Sequence, residues 1–145
     1  MITKMRREIV IQAAILFLAV SLTAAYTCSD PSNHIGQWLG INQQCVSLVR
    51  HVCSRLEDKH TSTWVPGKLV KDNCDDIPEY TAIATFLKDG GLSYEGHAAI
   101  FLSCVPSGIR VIDQYVGKPI SIKTIRYGGN PDSYDADNFY TIEVT

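Results

Sequence analysis

Five cysteines constrain this chain more than any other feature, because all of them, Cys28, Cys45, Cys53, Cys74 and Cys104, follow an N-terminal leader. Lys4, Arg6 and Arg7 give that leader a positive head, Ile9 to Val20 is apolar apart from Gln12, and Thr23-Ala24-Ala25 supplies small residues for cleavage. Residues 1–25 therefore read as a secretory signal peptide and residues 26–145 as a single domain. The apolar run from Ile9 to Ala25 spans 17 residues, fewer than the ~20 of a membrane-spanning helix. The expectation is a secreted, extracellular protein with no membrane association once the leader is cut. Disulfides form in that compartment. Five is an odd number, so one thiol either joins another chain or does chemistry.

Past the leader the chain holds 10 Lys/Arg and 14 Asp/Glu, a net charge of −4, without a basic cluster. That argues against a nucleic-acid partner. There is no Cys-x-x-Cys and no pair of histidines at ligand spacing, so neither a metal nor another cofactor is expected, and the chain is expected to act as a monomer. From Cys45 to Leu56 the residues Val49, Val52, Cys53 and Leu56 recur at i, i+3, i+4 and i+7, the stripe of a helix with one buried face, and Cys45 opens that face one turn earlier. "TWVPGKLV" (63–70) and "DNCDDIPEY" (72–80) carry turn residues and read as loop. "TAIATF" (81–86) fits either a helix or a strand, and the Asp89-Gly90-Gly91 turn signal behind it favours a strand. Residues 97–102, 109–115, 120–126 and 139–144 read as further strands. One helix followed by hairpin-linked strands is an α+β pattern.

Cys45 follows Asn42-Gln43-Gln44 at the head of the expected helix. The unpaired N–H groups and the dipole of a first turn favour a thiolate there. A thiolate nucleophile also needs a histidine, which protonates the leaving amine. Of four histidines, His34 lies in the N-terminal lead, His51 off the apolar stripe and His60 in a polar loop, while His97 begins a strand behind Gly96. His97 is the best placed. Asp113 and Gln114 in the next strand are close enough to orient its ring. On residues alone, Cys45 is equally a disulfide partner or core thiol, His97 a strand-end histidine satisfied by a carbonyl, and Asp113 an exposed edge charge.

"NQQCVSLVR" (42–50), "TSTWVPGKLV" (61–70), "TAIATF", "GHAAIFL" (96–102) and "GIRVIDQY" (108–115), in this order and spacing, resemble the peptidoglycan amidases delivered by bacterial type VI secretion, papain-like enzymes of the CHAP superfamily. The likeness runs from about Gly36 to Val144, nearly all of the mature chain. With its leader and four additional cysteines, the chain is most similar to copies of such effectors captured by eukaryotes such as ticks and mites and used as secreted antibacterial proteins. The resemblance implies a papain-like α+β fold in which an N-terminal catalytic helix packs on an antiparallel sheet. It implies Cys45 as nucleophile, His97 as general base and acid, and Asp113 as the orienting residue, with Gln114 in reserve. The implied substrate is bacterial peptidoglycan, cut at peptide cross-links or stems; the branch most resembled cuts the cross-link to diaminopimelate. Trp64, Tyr94, Gln114 and Tyr115 are the expected substrate-binding residues. The papain-type glutamine six residues before the cysteine is missing, since Leu39 stands there. Two other readings are an inactive module that binds cell wall and an acyltransferase that passes the thioester to an amine.

With Cys45 as nucleophile, the other four cysteines allow three pairings. Position favours Cys53 with Cys74, closing a loop of about 20 residues that would tether the helix with ~3 kcal/mol in the chain-entropy model. Cys28 would then pair with Cys104.

Overall fold

The computed structural model describes residues 26–145, and the signal peptide expected over 1–25 lies outside them. Six strands, β1 (Trp64–Leu69), β2 (Ala82–Thr85), β3 (Ala98–Val105), β4 (Gly108–Tyr115), β5 (Lys118–Arg126) and β6 (Phe139–Val144), form one sheet in the order β1-β6-β2-β3-β4-β5. Every neighbouring pair is antiparallel. The α-helix of the described residues, α1 (Cys45–Val52), packs across β3 and β4. The expected α+β architecture, one helix on an antiparallel sheet, is the one observed.

Side chains alternate across a strand, so the two faces of β3 and β4 feed two separate cores. Ala98, Ile100 and Ile112 join Leu48 and Val49 of α1 on one face. Ala99, Phe101, Ile109 and Val111 join Val70 and Phe139 on the other. The helix stops at Val52 rather than continuing to Leu56. A short 3-10 turn, Ser54–Leu56, follows it and still buries Leu56. The apolar stripe thus outlasts the helix, because the tighter turn keeps Leu56 on the same side.

"TWVPGKLV" is not a loop: it contains β1, which pairs with β6 at the edge of the sheet. An edge strand tolerates Pro66, whose missing N–H need not enter a ladder. The register shifts between Pro66 and Leu69, and at Gly67 a Cβ would collide with the Thr141 hydroxyl. That hydroxyl accepts the Lys68 N–H at 2.9 Å. The turn-forming residues mark an irregularity in an edge strand.

The disulfide pairing expected from position is also corrected. The bridges are Cys28–Cys53 and Cys74–Cys104, with Cα atoms 4.1 and 5.8 Å apart. Cys45 is the free cysteine. The sheet explains the difference. The N-terminal lead runs past the end of α1, where Ser29 N–H donates to Val52 O at 2.9 Å, and Cys28 and Cys53 both lie in the helix-side core. Cys74 lies 3.4 Å from the carbonyl of Val70, and Val70 and Cys104 belong to the opposite core. The sheet stands between Cys53 and Cys74. Non-reducing digestion and mass spectrometry should therefore return the 28–53 and 74–104 peptide pairs. Replacing Cys28 and Cys53 together by serine should lower the unfolding free energy by about 3 kcal/mol, read from denaturant melts, as expected for a cross-link of this separation.

Candidate active site

Two glycines let the backbone bring the site together. Gly96 has φ of +112°, and a Cβ there would strike the Thr85 hydroxyl of β2. That hydroxyl donates to Glu95 O at 2.6 Å and accepts the His97 N–H at 2.9 Å, while Thr85 N–H donates to His97 O at 2.9 Å. His97 is thereby fixed at the start of β3. Gly40, with φ of +91°, lies so near α1 that a Cβ would sit 2.5 Å from Ser47 O. The segment before Cys45 can therefore lie against the first turn of the helix.

His97 Nε2 and Asp113 Oδ2 are 2.6 Å apart, with His97 only 3 % exposed and Asp113 fully buried. Nε2 being engaged by the carboxylate, Nδ1 is the ring nitrogen left for the thiol of Cys45. The Cys45 Sγ also lies 3.6 Å from the Tyr94 hydroxyl. Tyr94 is held by edge contacts to Trp64 and Phe86, with ring centroids 5.3 and 6.5 Å away. Burial pushes the Cys45 thiol up, but the hydrogen bond and charge of His97, helped by Ala98 N–H and Tyr94, outweigh it and hold the thiol below its ordinary value. For His97, burial disfavours the imidazolium, yet its bonds to Asp113 and Cys45 outweigh burial and raise its pKa. The two shifts run in opposite directions, and each favours moving a proton from sulfur toward the ring. Burial and the neighbouring Cys45 push the Tyr94 phenol up, so it stays protonated and donates.

Two of the expected substrate-binding residues, Trp64 and Gln114, are buried. Trp64 is a core residue, 1 % exposed, whose indole N–H donates to Lys59 O at 3.2 Å. Gln114 is fully buried on the helix side. Its carbonyl accepts Leu39 N–H at 2.9 Å, and its amide donates to Leu39 O at 2.8 Å and Gln44 O at 3.0 Å. Gln114 therefore holds the segment before Cys45 and makes none of the bonds to His97. Tyr115 sits beside the His97–Asp113 pair, its ring 6.3 Å from the imidazole and 4.7 Å from Lys123 Nζ. A groove of about 560 Å³ opens at Cys45 and Tyr94 and runs along α1 past Arg50 to His60. Among the described residues no group of three His, Cys, Asp or Glu side chains could hold a metal ion.

Lys123 and Tyr134 surround the His97–Asp113 pair and were not singled out in the sequence. Lys123 Nζ meets the same Oδ2 of Asp113 at 2.8 Å and lies 4.7 Å from the rings of Tyr115 and Tyr134. Tyr134 stacks on His97 at a centroid distance of 4.7 Å. Lys123 pairs with Val111 across β4 and β5, so period-2 reading puts it on the Asp113 face once that register is known. Because His97 lowers the thiol pKa, alkylation of Cys45 by iodoacetamide should persist well below the ordinary thiol range. In His97→Ala its inflection should move up, as read from rates across pH. An inflection that ignores His97 would separate the two groups.

The chain's residues 16–142 match the family model described as domesticated amidase effector 2. A curated relative, domesticated amidase effector 2 of Ixodes scapularis, is 50 % identical over 139 residues, covering 92 % of this chain and 96 % of that protein. Among solved structures, type 6 secretion amidase effector 2 superposes with a TM-score of 0.67 at 28 % identity, covering 83 % of this chain and 95 % of the other. The resemblance read in the motifs is thus borne out at the level of family, and with a match of this extent the chain belongs to the domesticated amidase effector 2 family.

Proposed function

We propose that this protein is a secreted cysteine amidase with a papain-like mechanism that hydrolyses peptide cross-links or stems of bacterial peptidoglycan. The observation that carries the reading is a single free thiol at a helix N-terminus beside a buried His97–Asp113 pair. Family membership points the same way, since its named members are amidase effectors. Two disulfides support export to an oxidising compartment.

In this mechanism the Cys45 thiolate attacks the amide carbonyl carbon. The oxyanion that forms takes a hydrogen bond from Cys45 N–H, which as the first helical N–H has no intrahelical acceptor. Tyr94, protonated and beside the sulfur, is the second donor within reach. His97 gives the proton on Nδ1 to the leaving amine as the C–N bond breaks, leaving a thioester on Cys45. The ring then takes a proton from water, whose hydroxide attacks the thioester and frees the carboxylic acid and the thiolate. Asp113 keeps Nε2 protonated and fixes the ring plane throughout.

Incubation of the mature protein and its Cys45→Ala variant with purified peptidoglycan, followed by chromatography and mass spectrometry, tests the reading. Fragments with new amine ends from the first protein alone are expected; equal fragments from both overturn it. Wall binding without fragments would mark an inactive module, and products carrying an added amine would mark acyl transfer. Asp113→Asn should keep the fold while slowing turnover by about 10³-fold or more, as loss of an orienting carboxylate does. Gln114→Ala should instead lower stability by about 2–3 kcal/mol, because it leaves buried main-chain groups unpaired, a split readable by thermal melts beside turnover.

A further inference from the structure

The groove carries a cationic feature that the mechanism above does not use. Arg50 is five residues beyond Cys45 on α1, about 7.5 Å further along the helix axis, and both residues line the groove. Its Nη2 donates to the main-chain carbonyl of Glu57 at 2.7 Å, and its Nε is buried without an acceptor. The ion pairs among the described residues involve Lys71, His97 and Lys123 and leave Arg50 out. With Nε shut from solvent and one Nη2 hydrogen on Glu57 O, this guanidinium, which has no counter-ion, keeps its remaining Nη hydrogens for an anion. His60 lines the same groove. Its Nδ1 accepts Ser62 N–H at 3.1 Å, so in the neutral ring the proton sits on Nε2, a free donor. Glu57 also borders the groove, but it is its carbonyl that meets Arg50.

We infer that Arg50 and His60 form a carboxylate-binding subsite, which holds a free carboxylate of the peptide while Cys45 attacks an amide nearby. The inference rests on the proposed reading of this groove as the peptide-cleaving cleft, and it names the substrate class as acidic peptides. Peptides whose carboxylates are capped as amides lose a charged partner at the subsite while keeping the bond to be cut.

The test uses cross-linked muropeptides with free carboxyl groups and the same pool amidated with carbodiimide and ammonia. For the wild-type chain, amidation should lower kcat/KM by about tenfold to a hundredfold, mostly through KM. In Arg50→Met that ratio should fall to within about twofold of unity. His60→Phe, which leaves α1 untouched, should reduce it several-fold, and Arg50→Lys should restore part of it. A ratio unaltered in both Arg50→Met and His60→Phe overturns the subsite. If the protein cleaves neither pool, the cysteine-amidase reading fails by itself, and calorimetry of the two pools against Cys45→Ala decides the subsite separately. Binding that weakens on amidation, and does so only with Arg50 present, supports it; equal binding overturns it.

Discussion

Asp113 and Gln114 are consecutive on β4, and the pleat sends them to opposite faces of the sheet. On one face Asp113 fixes the His97 ring through Nε2. On the other Gln114 bonds both ends of the segment from Leu39 to Gln44, which delivers Cys45 to the start of α1. The two halves of the site come from chain segments some fifty residues apart, and the same two residues of one strand hold both in place. A shift of β4 by one residue against its neighbours would exchange the faces, placing the carboxylate under the helix and the amide beside the imidazole. The paired register of β3, β4 and β5, filled by Ile100, Ile112 and Ile120 in the helix-side core, resists that shift.

The charged members of the site follow from this arrangement. Asp113 is buried with a histidine and a lysine on the same carboxylate oxygen. Both contacts fall on Oδ2, while Oδ1 is buried without a hydrogen-bond partner, so the carboxylate is held from one side only. Lys123 sits between the faces of Tyr115 and Tyr134, where a cation gains from ring quadrupoles. Tyr134 covers the imidazole and keeps bulk water off it. The imidazole's pKa is raised and the thiol's lowered in this setting, and the helix N-terminus also favours negative charge on the sulfur.

Much of this was legible because it was local. Hydrophobic patterning placed α1 and four of the six strands, the turn signal at Asp89-Gly90-Gly91 favoured β2, and the head of a helix marked Cys45. What stayed hidden depended on the third dimension. β1 looked like a loop because Pro66 and Gly67 signal turns in isolation, and only its place at the sheet edge makes them tolerable. Gln114 looked like a partner for His97 because it neighbours Asp113 in sequence, though adjacent strand residues point apart. Trp64 looked like a groove wall because it is aromatic, and it supports Tyr94 from the core instead. Lys123 gave no signal at all, since its importance comes from pairing with β4.

The disulfides show the same dependence and bear on the chemistry. A thiol held below its ordinary pKa is a ready attacker of disulfides in an oxidising compartment, and this chain has two of them. Cys53, the nearest cysteine to Cys45 in sequence, lies eight residues on, roughly 12 Å along a helix axis, and is already joined to Cys28. Cys28 is 8 % exposed and Cys53 1 %, so the bridge offers little surface to attack. The second bridge belongs to the opposite face, with the sheet between it and Cys45. The 28–53 pairing ties the lead to the end of the helix whose other end carries Cys45, and the 74–104 pairing closes the far core. Each cross-link stiffens one side of the sheet without coming within reach of Cys45, so that a free thiol of lowered pKa and two disulfides coexist in one small domain.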